Sequence, residues 1–338
     1  MLSKFIASLL ITFSVLLGTK WQGRQPNTEQ KNSSDSSNLS QIESRINPRE
    51  IIKDSVILKD FFEYSFQQKQ NTPHKLPQIE EVVDWLNLKA KAAASFDTEN
   101  NRFLFQKNID QKLPIASLTK LLTALKVMDQ LELEEIVEVS KKAIATYGEM
   151  GNLVVEEKIS VKNLLYIMLI ESSNDAAVAL AEVVEKKTNR VPNLFVDLMN
   201  KKAKEIGLFN SHFSDASGLN LDNVSTISDL TKLTKYSLEN QKYNLIWQIL
   251  GIEEINVQSI DGKINHYLKN TNKLIGKIEG IVGGKTGYTE EAGECMILVI
   301  KNSSQKGYLI NVILGAANGG RFTEMERLVK SIQEIYLW

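Results

Sequence analysis

What most constrains the fold of this chain is an interruption between two sets of strands. The stretch 92–96 is strand-like, the polar residues Asp97, Thr98, Glu99, Asn100 and Asn101 supply turn chemistry, and 102–106 alternates back as a second strand, which reads as a hairpin. Strand patterns resume only beyond residue 250, at 252–260, 263–268, 281–287, 294–301 and 307–315. Between them, from about 160 to 240, the apolar spacing is helical, as in Leu164, Leu165, Ile167, Met168 and Leu169 and again over 176–184. Two further helices are predicted, one over 117–131 just after Pro114 and one over 321–336 with Met325, Leu328, Val329, Ile332 and Ile335 on one side. A hairpin before a helical block and strands after it predict an α/β fold of the α+β kind: one antiparallel sheet flanked by helices, with a helical subdomain inserted between its parts.

The N-terminal quarter reads differently. Lys4 precedes an almost unbroken apolar run from Phe5 to Leu17, closed by Gly18, Thr19 and Lys20. That is the charge and length pattern of a secretory signal, and the run is shorter than the roughly 20 residues of a comfortable span. No small-x-small cleavage site follows, so residues 1–22 are expected to be either a signal peptide or an N-terminal membrane anchor. Residues 23–50 are rich in Ser, Asn, Gln, Glu and Arg and lack aromatics. Such a stretch cannot bury enough surface to offset its ordering entropy and is expected to be a disordered stalk. Residues 51–86 form an N-terminal extension that the pattern leaves unassigned, and 87–338 is expected to be the functional domain.

Composition narrows the chemistry. Lys and Arg number 40 against 41 Asp and Glu, a balance without the basic face of a nucleic-acid binder. The single cysteine, Cys295, rules out an intramolecular disulfide, and its apolar neighbours Met296 to Ile300 make it a small buried residue. His74, His212 and His266 stand far apart, without a partner at metal-ligand spacing, so neither a metal nor another cofactor is expected.

Three short motifs carry the argument about function. In Ala116-Ser117-Leu118-Thr119-Lys120, Ser117 and Lys120 are three residues apart and share a helix face. A serine in the first helical turn meets unpaired N–H groups and a positive dipole, which favour charge developing beside it. A buried or cation-flanked lysine can lose its proton and act as a base. A second S-x-x-K pair, Ser303 and Lys306, lies in an apparent loop and shows how often the pattern arises by chance. In Ser172-Ser173-Asn174 a hydroxyl and an amide two residues apart can face one cleft, although both types are also ordinary helix caps. In Gly283-Gly284-Lys285-Thr286-Gly287-Tyr288 the glycines let a substrate backbone lie beside a strand, and Lys285 and Thr286 offer a cation and a hydroxyl to a carboxylate. Each motif alone is weak. In this order, each on the element its chemistry needs, they match the set of penicillin-binding proteins and class A β-lactamases.

The resemblance extends from about residue 89 to the C-terminus. The stretches 114–124, 164–177, Ser217-Gly218-Leu219, 270–274, 284–289 with Ala292-Gly293, and the last helix at Arg321 all resemble the D-alanyl-D-alanine carboxypeptidase family, the low-molecular-mass penicillin-binding proteins among the S11 serine peptidases. The resemblance implies the penicillin-binding, β-lactamase-like transpeptidase fold. It implies that Ser117 attacks the carbonyl between two D-alanines while Lys120 takes its proton. Ser172 and Asn174 would relay protons and hold the substrate; Lys285 and Thr286 would bind its terminal carboxylate. The amides of Ser117 and Tyr288, the latter beside Gly287, would stabilise the oxyanion. Peptidoglycan stem peptides are the implied substrate, β-lactams the implied covalent inhibitors, and the site of action extracytoplasmic, with the N-terminal segment as a tether to the membrane. A D,D-endopeptidase would carry the same motifs. A β-lactamase would need an E-x-x-L-N pattern between the second and third motifs, and none is present. The chain departs from the family in having Ser173 rather than Gly inside the second motif, and Asp215 near the place of an Asn before Gly218-Leu219. It also ends at Trp338, just after the last helix, where many members continue into a β-rich domain and an amphipathic anchor.

Overall fold

The computed structural model describes residues 86–148, 151–187, 193–301 and 306–336. The expected signal or anchor, the stalk, most of the N-terminal extension and Ser303 of the second S-x-x-K pair lie outside the described residues. Among the described residues no helix is long and apolar enough to cross a membrane.

A five-stranded sheet organises the rest. Strands β1 (Ala92–Asp97) and β2 (Arg102–Lys107) make the predicted hairpin, and β9 (Ile281–Thr289), β10 (Gly293–Lys301) and β11 (Tyr308–Ala316) complete the order β2-β1-β11-β10-β9. Every pairing is antiparallel. The chain leaves β2 at one edge, builds the helical block, and returns to add β9 to β11 against β1. The join is Ala92 opposite Leu314 through Asp97 opposite Leu309. β10 is buried on both faces from Glu294 to Ile300, which explains its continuous apolar run. Met296, Leu298 and Ile300 face the last helix, where Met325, Leu328, Val329 and Ile332 cover them. Ile297 and Val299 face the opposite way, into the core shared with the helical block. Cys295 is fully buried there, as its apolar setting predicts.

Ahead of the helical block, a 3-10 turn at Ala116–Thr119 leads into α1 (Lys120–Gln130); α2 (Lys141–Ile144) is one short turn beyond it. The block itself holds α3 (Val161–Ile170), α4 (Asn174–Lys187), α5 (Leu194–Glu205) and α6 (Ile227–Glu239), and α7 (Asn244–Leu250) follows. α3 starts where the Ser160 hydroxyl accepts from the Asn163 amide, and α6 where Thr226 accepts from Asp229. α3 is apolar nearly all round, with seven of its ten residues buried, so it runs through the centre of the block. The last helix, α8, spans Arg321–Tyr336.

Two expectations need correction. The segments 252–260 and 263–268 were expected in the main sheet, but β7 (Glu254–Gln258) and β8 (Asn265–Lys269) pair only with each other. Their buried positions are few and alternate, Val257 on one and His266 and Leu268 on the other, so this hairpin lies over the surface of the helical block and cannot fill a sheet centre. The helix expected over 117–131 begins instead with the 3-10 turn, and Ser117 lies in that tighter turn. The remaining strands make two-stranded contacts that close the block: β3 (Leu113–Pro114) with β6 (Val224–Ser225), and β4 (Ile136–Glu138) with β5 (Lys158–Ser160).

Candidate active site

Three elements meet at one edge of the sheet: the 3-10 turn, the link between α3 and α4, and β9. β9 has a sheet neighbour on one side only, β10, and its other side faces the turn. The approach is close. A Cβ built on Gly287 would lie 3.0 Å from the Ser117 nitrogen and 3.0 Å from the Ile115 carbonyl oxygen, so a side chain there would drive the strand off the nucleophile turn. Two non-glycine residues at the junction adopt left-handed backbone, Ala116 at φ 47° and Ser172 at φ 65°. Each costs about 1–3 kcal/mol, and strain of this kind concentrates at functional sites.

The six reactive side chains expected from the sequence come together. Lys120 is fully buried, and its Nζ lies 2.9 Å from Ser117 Oγ, 2.7 Å from Asn174 Oδ1 and 2.6 Å from the Ser217 carbonyl. Lys285, equally buried, donates to Ser172 Oγ at 2.7 Å and to the Thr286 carbonyl at 2.8 Å. Thr286 donates to Thr271 Oγ1 at 2.7 Å. Tyr288 is half-exposed beside the site. The cap that Ser172 or Asn174 could have served falls to Ser173, whose hydroxyl accepts from the Ala176 amide at 3.1 Å. This leaves the outer pair of the motif free to face the two lysines.

The electrostatics follow from burial. Removal from water lowers Lys120 to about 7, against the raising pull of Asp215. Lys285 falls well below the ordinary lysine range, first by burial, then through the positive charges of Lys120 and Arg321. Hydrogen-bond accounting gives the neutral Lys120 amine a direction. It has two N–H donors and one lone pair. Asn174 Oδ1 and the Ser217 carbonyl can only accept, so they take the two N–H groups, and the lone pair is left for the Ser117 hydroxyl.

Several contributors carried no role in the sequence. Asp215 accepts from the Ser217 amide (2.7 Å), the Ser217 hydroxyl (3.0 Å), the Gly218 amide (2.5 Å) and the Asn220 amide (2.6 Å), and so fixes the carbonyl that Lys120 uses. Arg321 donates to the Gly287 carbonyl at 2.9 Å and pairs with Glu294 at 3.2 Å, which braces β9 from behind. Asn174 Nδ2 donates to the carbonyl of Tyr147 at 2.8 Å. Backbone carbonyls leave no trace in composition or spacing; Asp215 and Arg321 stood in stretches that the resemblance covered. The two described histidines lie apart from this cluster: His266 uses both ring nitrogens on Gly151 and Glu157, and His212 is held through its backbone to Val224.

A family model described as D-alanyl-D-alanine carboxypeptidase matches residues 78–318. The chain belongs to this family of serine peptidases. It is 34% identical over 235 residues to a D-alanyl-D-alanine carboxypeptidase of Bacillus subtilis, a match that spans 68% of this chain and 58% of that protein. It is also 34% identical over 214 residues to a D-alanyl-D-alanine endopeptidase of Pseudomonas aeruginosa, covering 62% of this chain and 67% of that one. Among solved structures, a penicillin-binding protein of Listeria monocytogenes in its cefotaxime-bound form aligns with a TM-score of 0.62 at 30% identity, over 72% of this chain and 97% of that chain. The fold is therefore the penicillin-binding peptidase fold that the motif order implied.

Proposed function

We propose that this chain is a serine-type D-alanyl-D-alanine carboxypeptidase that removes the terminal D-alanine of peptidoglycan stem peptides through an acyl-enzyme. The observation that supports this best is the fully buried Lys120 amine within hydrogen-bond distance of Ser117 Oγ, Asn174 Oδ1 and the Ser217 carbonyl, an arrangement that, in the neutral amine, leaves the lone pair for Ser117. In that state Lys120 takes the hydroxyl proton as the oxygen attacks the scissile carbonyl. The developing oxyanion is received by the amides of Ser117 and Tyr288, and Lys120 returns the proton to the leaving D-alanine by way of the Ser172 hydroxyl. An arriving substrate carboxylate favours the ammonium form of Lys285, against the burial that holds it below its usual range. Thr286 supplies the second contact to that carboxylate. Water then takes the place of the leaving amine and hydrolyses the acyl-serine. β-Lactams enter as covalent inhibitors at Ser117.

A second reading, cleavage of D-alanyl cross-links, is favoured by the endopeptidase relatives at 34% and 32% identity. Residues 87–338 make up the catalytic domain in either reading. Action outside the cytoplasm, with residues 1–22 as signal or tether and 23–50 as stalk, fits this substrate. Intact-mass spectrometry after incubation with benzylpenicillin tests the acyl-serine step, beside Ser117→Ala. The expected result is an adduct of one drug mass that is lost in the variant; an adduct kept in Ser117→Ala, or an inert wild type, overturns the assignment. Product analysis on pentapeptide and on cross-linked muropeptide separates the two readings.

A further inference from the structure

The chain carries a buried histidine–glutamate pair that the proposed reaction does not use. His266 on β8 and Glu157, just ahead of β5 (Lys158–Ser160), are both nearly inaccessible to solvent, and Nε2 of one lies 2.7 Å from Oε1 of the other. A pair taken this far out of water is weak evidence for stability, because desolvation offsets its attraction. Its geometry is directed at something else. The opposite ring nitrogen, Nδ1, lies 2.8 Å from the carbonyl of Gly151, and the second Glu157 oxygen accepts from the Val154 amide at 3.1 Å. One buried pair therefore grips this loop at two backbone positions.

That loop touches the second motif. Gly151 packs against Ser173 and Ile167: a Cβ built there would lie 2.3 Å from Ile167 Cγ2 and 3.3 Å from Ser173 Cβ and Oγ, on a backbone with φ 93° that already favours glycine. Four residues earlier, the Tyr147 carbonyl accepts from Asn174 Nδ2, and Gly148 lies close to the same nitrogen. Contact with Tyr147 decides how the Asn174 amide is turned. With Nδ2 on a carbonyl, Oδ1 must face Lys120; turned over, the amide would set an NH2 group against the lysine and a carbonyl oxygen against a carbonyl.

We infer that His266 and Glu157 form a positioning pair for the catalytic amide: by holding the Gly151 carbonyl they keep Gly151 seated against Ser173 of the second motif, and so keep Asn174 Oδ1 on Lys120. Neither residue touches the reacting atoms; both act through Gly151, Ser173 and Asn174. The inference rests on the acyl-serine reading only for its rate effect. The groups whose charge reaches His266 are Glu157 and Glu171 at the end of α3; Lys120 feels Asp215, and its own charge lowers Lys285.

The test has two readouts, titration of Lys120 by NMR of its side-chain carbon and the rate of acylation by benzylpenicillin. His266→Leu combined with Glu157→Gln removes the buried charge and the bond to Gly151. His266→Asn combined with Glu157→Gln removes the same charge but keeps a donor at the place of Nδ1. Gly151→Ala leaves the pair intact and pushes the loop off Ser173 and Ile167. A misplaced Asn174 takes an acceptor from the Lys120 ammonium, so the titration midpoint falls. The leucine variant and Gly151→Ala should both show this fall and acylate at least about tenfold more slowly. The asparagine variant should keep both values near those of the unmodified chain. Folded leucine or Gly151→Ala variants with an unchanged Lys120 midpoint and rate overturn the inference, and an unchanged Gly151→Ala overturns it alone if the leucine variant does not fold. An unmodified chain that benzylpenicillin leaves unacylated would sink the proposed function, while the Lys120 titration would still decide the positioning role.

Discussion

Asp215 offers a prediction in which two neighbouring substitutions separate by their hydrogen bonds alone. One carboxylate oxygen takes the Ser217 amide, the Ser217 hydroxyl and the Gly218 amide; the other takes only the Asn220 amide. Ser217 and Gly218 are buried and Asn220 is exposed. In Asp215→Ala, water can replace the carboxylate at Asn220 but not at the two buried amides. A hydrogen bond to a charged group is worth about 1.5–3 kcal/mol net, so two buried amides left bare cost about 3 kcal/mol. For a domain of this size that is a fall of roughly 6–12 °C in Tm. In Asp215→Asn the amide oxygen keeps the three inner bonds and only the exposed one is lost, a cost of about 1 kcal/mol or less. Both variants also remove the negative charge that raises Lys120, so the acid limb of acylation moves to lower pH in both. Scanning calorimetry and benzylpenicillin acylation across pH measure the two effects. Equal melting losses for Ala and Asn, or an acid limb that moves up, would refute the reasoning.

The acylation rate of the unmodified chain should fall below a pH of about 7, by about tenfold per unit, because Lys120 is lowered to about 7 by burial and must be neutral to take the serine proton; a rate flat between pH 5 and 8 would exclude Lys120 as the base. His266 gives a stability signature of the opposite sense. Its hydrogen bond to Glu157 raises it above its ordinary 6.5, so the folded state holds the proton more tightly than the unfolded chain does. That contribution is complete below the unfolded value and is lost as pH rises through the folded one. Tm of the unmodified chain should therefore decline from pH 6.5 upward relative to the variant with His266→Leu and Glu157→Gln, and parallel curves would contradict the buried ion pair.

How much was legible in the sequence varied with the range of the interaction. The β1–β2 hairpin, β9 to β11 and the last helix fell within a few residues of their expected bounds, because period-2 and period-3.6 patterns are local and record one buried face. β7 and β8 were legible as strands but not as a separate hairpin, since strand pairing is a choice among distant partners that periodicity does not encode. The six reactive side chains were legible as three motifs, because their chemistry needs particular residue types in a particular order. The Ser217 and Tyr147 carbonyls were not, since any residue supplies a carbonyl.

The sequence by itself therefore determined which groups meet at the candidate site: a serine, two lysines, an amide and two further hydroxyls, on a sheet split by a helical insertion. Only the tertiary structure decided what state they are in. Lys120 and Lys285 are ordinary exposed cations in an unfolded chain, and they change character because the fold takes both out of water and sets Lys285 within reach of the charges of Lys120 and Arg321. The direction of the Lys120 lone pair is likewise a product of folding, set by Asn174 on α4 and by a carbonyl 97 positions away in the chain. Residue types are written locally, whereas desolvation and hydrogen-bond direction arise only when distant segments close on one another.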